Sequence, residues 1–188
     1  MKINLEKRVF IGIPIGHKIK SILPSLKSTV HSSTNIIKWI PPENIHLTLS
    51  FLGNISDKDI PNIVQSLENC ITSKYFKIKI ESTGVFPSAN FPKILWIGIG
   101  KGADELTLLQ KEIERSVRKF KEISKKEKFK PHITIARIRR SRLKIDVLPF
   151  LNTVYSPIEL DINSICLYES ILLPKGAQYT VLTEFPLN

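Results

Sequence analysis

Cysteine is scarce in this chain: two residues, Cys70 and Cys166, in 188. They form neither a disulfide framework nor a C-x-x-C metal knuckle, and are expected as reduced, partly buried thiols of a cytosolic protein. Nowhere do 18 uncharged apolar residues run together, so no membrane-spanning helix is expected. The opening "MKINLEKRVFIGIPIGHK" lacks the apolar core of a signal peptide. No low-complexity linker divides the chain, which reads as one domain over 1–188. Acidic residues are also short: 17 Asp and Glu against 28 Lys and Arg, a formal charge of +11. That imbalance suggests a polyanionic partner, nucleic acid first and an anionic membrane surface second. The lysines are scattered, however, and a Lys/Ile-rich proteome would give the same excess. A hydrophobic share of 42% with 24% charged residues is that of a soluble globular protein with its own core, here expected in the cytoplasm.

Histidine is rare too, and its placement is informative. Of four, two open the same unit: "HLTL" at 46–49 and "HITI" at 132–135. The two stand 86 positions apart (132 minus 46), near half the chain, and each is entered through a proline region, "WIPPENIH" and "FKPHI". One H-x-T-x is a weak pattern; a matched pair indicates an internal duplication with two lobes facing one another. In a strand, residues i and i+2 share a face. His46 points with Thr48, and His132 with Thr134, while Leu47, Leu49, Ile133 and Ile135 anchor the other face. Two imidazoles and two hydroxyls around one cleft suit a phosphate under in-line attack. One neutral histidine takes a proton from water, the other, protonated, gives one to the leaving oxygen, and the hydroxyls donate to the non-bridging oxygens. No acidic residue or cysteine stands beside either unit to complete a metal site, so neither metal nor cofactor is expected. His17 and His31 lack the pattern and read as surface residues.

Around these motifs, period-two runs alternate with helical spacing. Strands are expected at 8–15, from the turn at Pro41-Pro42 to about Gly53, at 76–86, 93–100 and 129–140, and in the runs "IELDINSICLYES" and "QYTVLTEFPL". A first helical stretch, cut short or kinked by Pro24, follows residue 15. A second opens on the capping box "SDKD" at 56–59, the longest spans 103–124, and a short one falls within 142–154. Half-exposed strands favour an α+β fold with antiparallel sheets over a doubly wound one.

The segments "RVFIGIPI", "WIPPENIHLTLSFLG", "GVFPSANFPKILWIGIG", "FKPHITIARIRR" and "YESILLPKGAQYTVLTEFPL" resemble, in order and over almost the whole chain, the two-histidine (2H) phosphoesterases. Within them the match is to the RNA 2′,3′-cyclic phosphodiesterases, historically called 2′-5′ RNA ligases. The resemblance implies a bilobal α+β fold of two pseudo-symmetric lobes, each an antiparallel sheet flanked by helices, with the catalytic cleft between them. It implies hydrolysis of a terminal 2′,3′-cyclic phosphate on RNA to a 2′-phosphate, with His46 as proton donor and His132 as proton acceptor, roles the near-symmetric motifs do not themselves distinguish. Reversible 2′-5′ joining of RNA is associated with the same group. A cleft of this kind needs no second subunit, so a monomer is expected. A non-catalytic RNA- or nucleotide-binding module, and a phosphodiesterase of small cyclic nucleotides, are the alternatives. The comparison also implies that Phe51 and Arg137, five residues after each histidine, contact the nucleotide. Strict alternation would turn both away from the histidines: either the strand twists or bulges there, or the two are structural. Phe10 and Tyr168 are further, unplaced candidates for the cleft.

Overall fold

A single antiparallel sheet carries both motifs at its centre. The computed structural model describes residues 6–30, 36–121, 128–139, 145–174 and 176–188. Among them nine strands pair: β1 (Glu6–Pro14), β2 (Ile37–Trp39), β3 (His46–Ser56), β4 (Phe76–Phe86), β5 (Ile94–Ile99), β6 (His132–Ile138), β7 (Ile158–Ile162), β8 (Ser164–Leu173) and β9 (Gly176–Pro186). The order is β7-β4-β5-β6-β3-β1-β8-β9, with β2 added to β6. The two lobes are its halves, β6-β5-β4-β7 and β3-β1-β8-β9, each led by a motif strand. They meet at one registered pair, Leu47 with Ile133. The halves of the sheet are not halves of the chain: the C-terminal hairpin β8–β9 returns to pack beside β1.

Helices cover one face. α2 (Ile60–Cys70) and α3 (Ala103–Val117) present Ile63, Leu67, Leu106, Leu109, Ile113 and Val117 to the core side chains Leu47, Leu49, Ile133 and Ile135. Each fully buried aliphatic of this kind contributes about 1.5–3 kcal/mol, enough to bind the seam from behind although its backbone ladder is short. Pro24 shortens the first helix as expected: a 3-10 turn at Gly16–Ile19 precedes α1 (Leu23–Ser28), with the proline in its first turn. The second helix likewise starts with a 3-10 turn, Asp57–Asp59, before α2. The short helix α4 is Leu148–Leu151. The run at 158–170 proves to be two strands, broken between β7 and β8 at Asn163. The expected end of the long helical stretch, at 122–124, lies outside the described residues, as do His31, Arg140 and Arg142. Of the cysteines, Cys166 is buried but Cys70 is exposed, since it falls on the solvent side of α2. No helix among the described residues is long and apolar enough to cross a membrane.

Candidate active site

The face of the sheet opposite the helices holds the motif side chains. Along β3 the exposure runs half-buried, buried, half-buried, buried, buried, exposed from His46 to Phe51, and β6 repeats it from His132 to Arg137. The doubled buried step is a β-bulge in each strand. Gly12 pairs with Thr48 and Ile11 with Ser50, passing over Leu49; Trp96 pairs with Thr134 and Leu95 with Ala136, passing over Ile135. An extra residue reverses the alternation. Phe51 and Arg137 therefore return to the side of His46, Thr48, His132 and Thr134, and neither is a core residue: Phe51 is 60% exposed and Arg137 is exposed.

Both imidazoles are held alike. His46 Nδ1 lies 2.8 Å from the carbonyl oxygen of Asn44, and His132 Nδ1 lies 2.7 Å from that of Lys130. A carbonyl only accepts, so Nδ1 carries the proton and donates in both rings, which leaves Nε2 as the basic nitrogen. Aromatic rings fix the imidazole planes. Tyr179 meets His46 edge-on at 5.0 Å, with Phe10 at 4.6 Å; Phe86 meets His132 edge-on at 5.0 Å, with Trp96 at 6.2 Å. Phe10 lines the cleft and stacks in turn on Tyr168, its cross-strand neighbour on β8, at 4.9 Å.

Electrostatics follow from this packing. Burial pushes the His46 imidazole down to about 4; the bond to Asn44 opposes the fall, and the charges of Arg137 and His132 deepen it. Burial lowers His132 as well, opposed by its bond to Lys130 and reinforced by the charges of Lys130 and Arg137. Arg137 is thus felt at both histidines, and both are neutral in the free protein near pH 7. The pseudo-symmetry is broken two residues before each histidine, where neutral Asn44 faces cationic Lys130. The Lys130 ammonium sits 4.5 Å from the centre of the Trp96 ring and 5.5 Å from that of Phe86.

A cleft of about 610 Å³ opens from His46 past Phe10, Phe51 and Arg137 toward Arg8, Lys38 and the β8–β9 hairpin. Sequence reasoning did not single out Arg8, Lys38 or Tyr179. The side taken by Arg8 follows from the period-two face it shares with Phe10 in "RVFIGI", though its lack of an acidic partner does not; Tyr179 reaches the site only through the return of β9. His17 is exposed in its 3-10 turn. Among the described residues, no three His, Cys, Asp or Glu side chains gather as a metal-ligand set.

Comparison with known proteins converges on one family. Residues 33–171 match the model of the 2′-5′ RNA ligase superfamily. A protein of Aquifex aeolicus named RNA 2′,3′-cyclic phosphodiesterase is 36% identical over 186 residues, covering 96% of this chain and 97% of the relative. One of Archaeoglobus fulgidus with the same name is 31% identical over 179 residues, covering 95% and 99%. Among solved structures, a Thermus thermophilus protein superposes with a TM-score of 0.77 at 25% identity, over 96% of this chain and 97% of its own. E. coli LigT, crystallised with 3′-AMP, superposes with a TM-score of 0.77 at 18% identity, over 97% and 99%, a likeness of fold.

Proposed function

Because the chain belongs to the 2′-5′ RNA ligase superfamily, we propose that its cleft hydrolyses the terminal 2′,3′-cyclic phosphate of RNA to a 2′-phosphate, with His46, His132, Thr48 and Thr134 as the catalytic residues. The observation that carries this reading is the matched pair of imidazoles, each held through Nδ1 by the carbonyl two residues earlier. Both therefore offer Nε2 to a substrate, and no metal need take part in the proton transfers.

Water attacks phosphorus while His132 Nε2 accepts its proton. The bond from phosphorus to O3′ breaks, and His46 Nε2–H protonates the departing oxygen. Phosphorus stays on O2′, so the products are a 2′-phosphate and a free 3′-hydroxyl. A 5′-hydroxyl attacking in place of water gives a 2′-5′ linkage by the same transfers. Thr48, Thr134 and Arg137 stabilise charge on the non-bridging oxygens, and Phe51 stacks on the terminal base. The donor must first be charged. The anionic ring pairs with Arg137, which cancels one of the charges holding His46 down, and its own negative charge raises His46 further, so substrate binding takes up a proton. His132 must remain neutral, which the Lys130 cation on that side favours. His46 is the more strongly lowered of the two in the free protein, so its role as donor depends on the charge that the substrate brings, and the division of roles follows the family resemblance.

We place the reaction in a single domain, residues 1–188, with motif halves at 46–49 and 132–135. It works as a monomer in the cytoplasm. The free, exposed Cys70 and a cleft lined by residues of one chain support those assignments.

The test uses a short RNA ending in a 2′,3′-cyclic phosphate, incubated in excess EDTA with the wild type, His46→Ala and His132→Ala. The expected product resists a 3′-specific phosphatase, and each variant loses about 10²–10⁴-fold in rate. A phosphatase-sensitive product would reverse the direction of ring opening. Undiminished turnover in either variant would remove that histidine from the reaction.

A further inference from the structure

We propose that Arg8 and Lys38 form a second phosphate subsite, for the phosphodiester on the 5′ side of the terminal nucleotide, so that the cleft is built for a chain end and not for a lone nucleotide. The proposal rests on the reading that the histidines act on a terminal cyclic phosphate.

Charge partners separate these cations from their neighbours. On β1 alternate side chains face opposite ways. Lys7 turns away from the cleft and is neutralised, with Asp57 at 3.1 Å and Glu169 at 3.6 Å. Arg8 faces the cleft and, like Lys38, forms no ion pair with any described acidic residue. The described lining contains Arg8, Lys38 and Arg137 and no carboxylate. Further, Lys38 stands directly opposite Arg137 in the β2–β6 ladder. Like charges in that position are destabilising, and a polyanion with one phosphate on Arg137 and the next on Lys38 offsets the cost.

Position matches the chemistry. Phe10 touches His46, and Arg8 lies two residues back along β1, about 7 Å further from the histidine, a step on the scale of one nucleotide. Lys38 reaches over from β2 until its ammonium lies 3.2 Å from where a Cβ on Gly176 would stand, so it spans to the hairpin on the far wall. There Leu172 and Leu173, 66% and 48% exposed, offer an apolar surface beside the cation pair. Such interleaving of cations and apolar surface suits single-stranded nucleic acid.

The experiment compares kcat/KM for three substrates: adenosine 2′,3′-cyclic phosphate, the same nucleotide with a 5′-phosphate, and the dinucleotide ApA ending in the cyclic phosphate. The wild type is expected to prefer both 5′-substituted forms, with a preference that weakens in salt. Arg8→Gln and Lys38→Gln should each cut the preference about tenfold, the size of one charge-assisted contact, whereas Arg137→Gln lowers all three substrates together. A dinucleotide preference without one for the 5′-phosphate would assign the gain to the base and overturn the subsite. So would a preference unchanged in both Gln variants. Calorimetric binding of ApA 2′-phosphate against 2′-AMP gives the same ratio without turnover. If no cyclic phosphate is cleaved but that ratio falls in Arg8→Gln and Lys38→Gln, the subsite stands and the hydrolytic reading fails; equal binding in all three proteins rejects the subsite.

Discussion

At the scale of residues, the two histidines determine how the protein responds to pH. The kcat/KM of a minimal cyclic nucleotide reports the free protein. With His46 near 4 and His132 also below its ordinary 6.5, both limbs of the bell should lie acid of pH 6.5, and the rate should decline between pH 6.5 and 8. An optimum above pH 7 would show that at least one of the two imidazoles does not titrate as its burial dictates. Lys130→Met should move the His132 limb to higher pH, whereas Lys130→Arg leaves it in place. Stability carries the same signature. The folded His46 is harder to protonate than the unfolded one, so below pH 6.5 the unfolded state binds more protons and the fold weakens until pH falls to about 4. The loss amounts to about 3 kcal/mol at most. Urea unfolding at pH 7 and pH 4.5 should show it in the wild type, with a smaller difference between the two pH values in His46→Gln.

At the scale of elements, the paired bulges decide which side chains share the face of the two histidines. Phe51→Ala should raise KM for RNA ends by the worth of one base stack, about 1–3 kcal/mol, without moving the melting temperature, because the ring is 60% exposed; a drop in melting temperature would make it a packing residue instead. Close backbone approach matters in the same strands. A Cβ at Gly12 would stand 2.9 Å from the Leu47 carbonyl oxygen and 3.4 Å from His46 Cδ2. Gly12→Ala should therefore cost about 1–3 kcal/mol and lower kcat together with urea stability; kcat and stability both at wild-type values would mean that β1 yields freely. Much of this was legible beforehand. The strand at 76–86 and the common face of His46, Thr48, His132 and Thr134 follow from period two alone. The sides taken by Phe51 and Arg137 did not, since a bulge leaves no mark in composition and shows only in the partner's register. Arg8 and Lys38 were hidden for a different reason: a scattered basic residue becomes a site only when topology leaves it without an acid.

For the whole molecule, the arrangement of halves outweighs the composition. The charge of +11 is spread along the chain, whereas the cleft brings Arg8, Lys38 and Arg137 together with no acid in its described lining. The proposed site takes one histidine, one threonine and one of the pair Phe51 and Arg137 from each half, and the motif strands of the two halves pair through Leu47 and Ile133. That single seam makes catalysis a clock for folding. Its partners lie 86 positions apart in the chain (133 minus 47), and β1 must also meet β8 across a still longer separation. Assembling the site therefore has the long loop closures that slow folding, whereas hairpins such as β8–β9 close locally. On dilution from urea, far-ultraviolet circular dichroism should recover first and phosphodiesterase activity last. Leu47→Ala should lengthen that lag while leaving the early phase unchanged; simultaneous recovery of both signals would show that the seam forms together with the rest of the sheet.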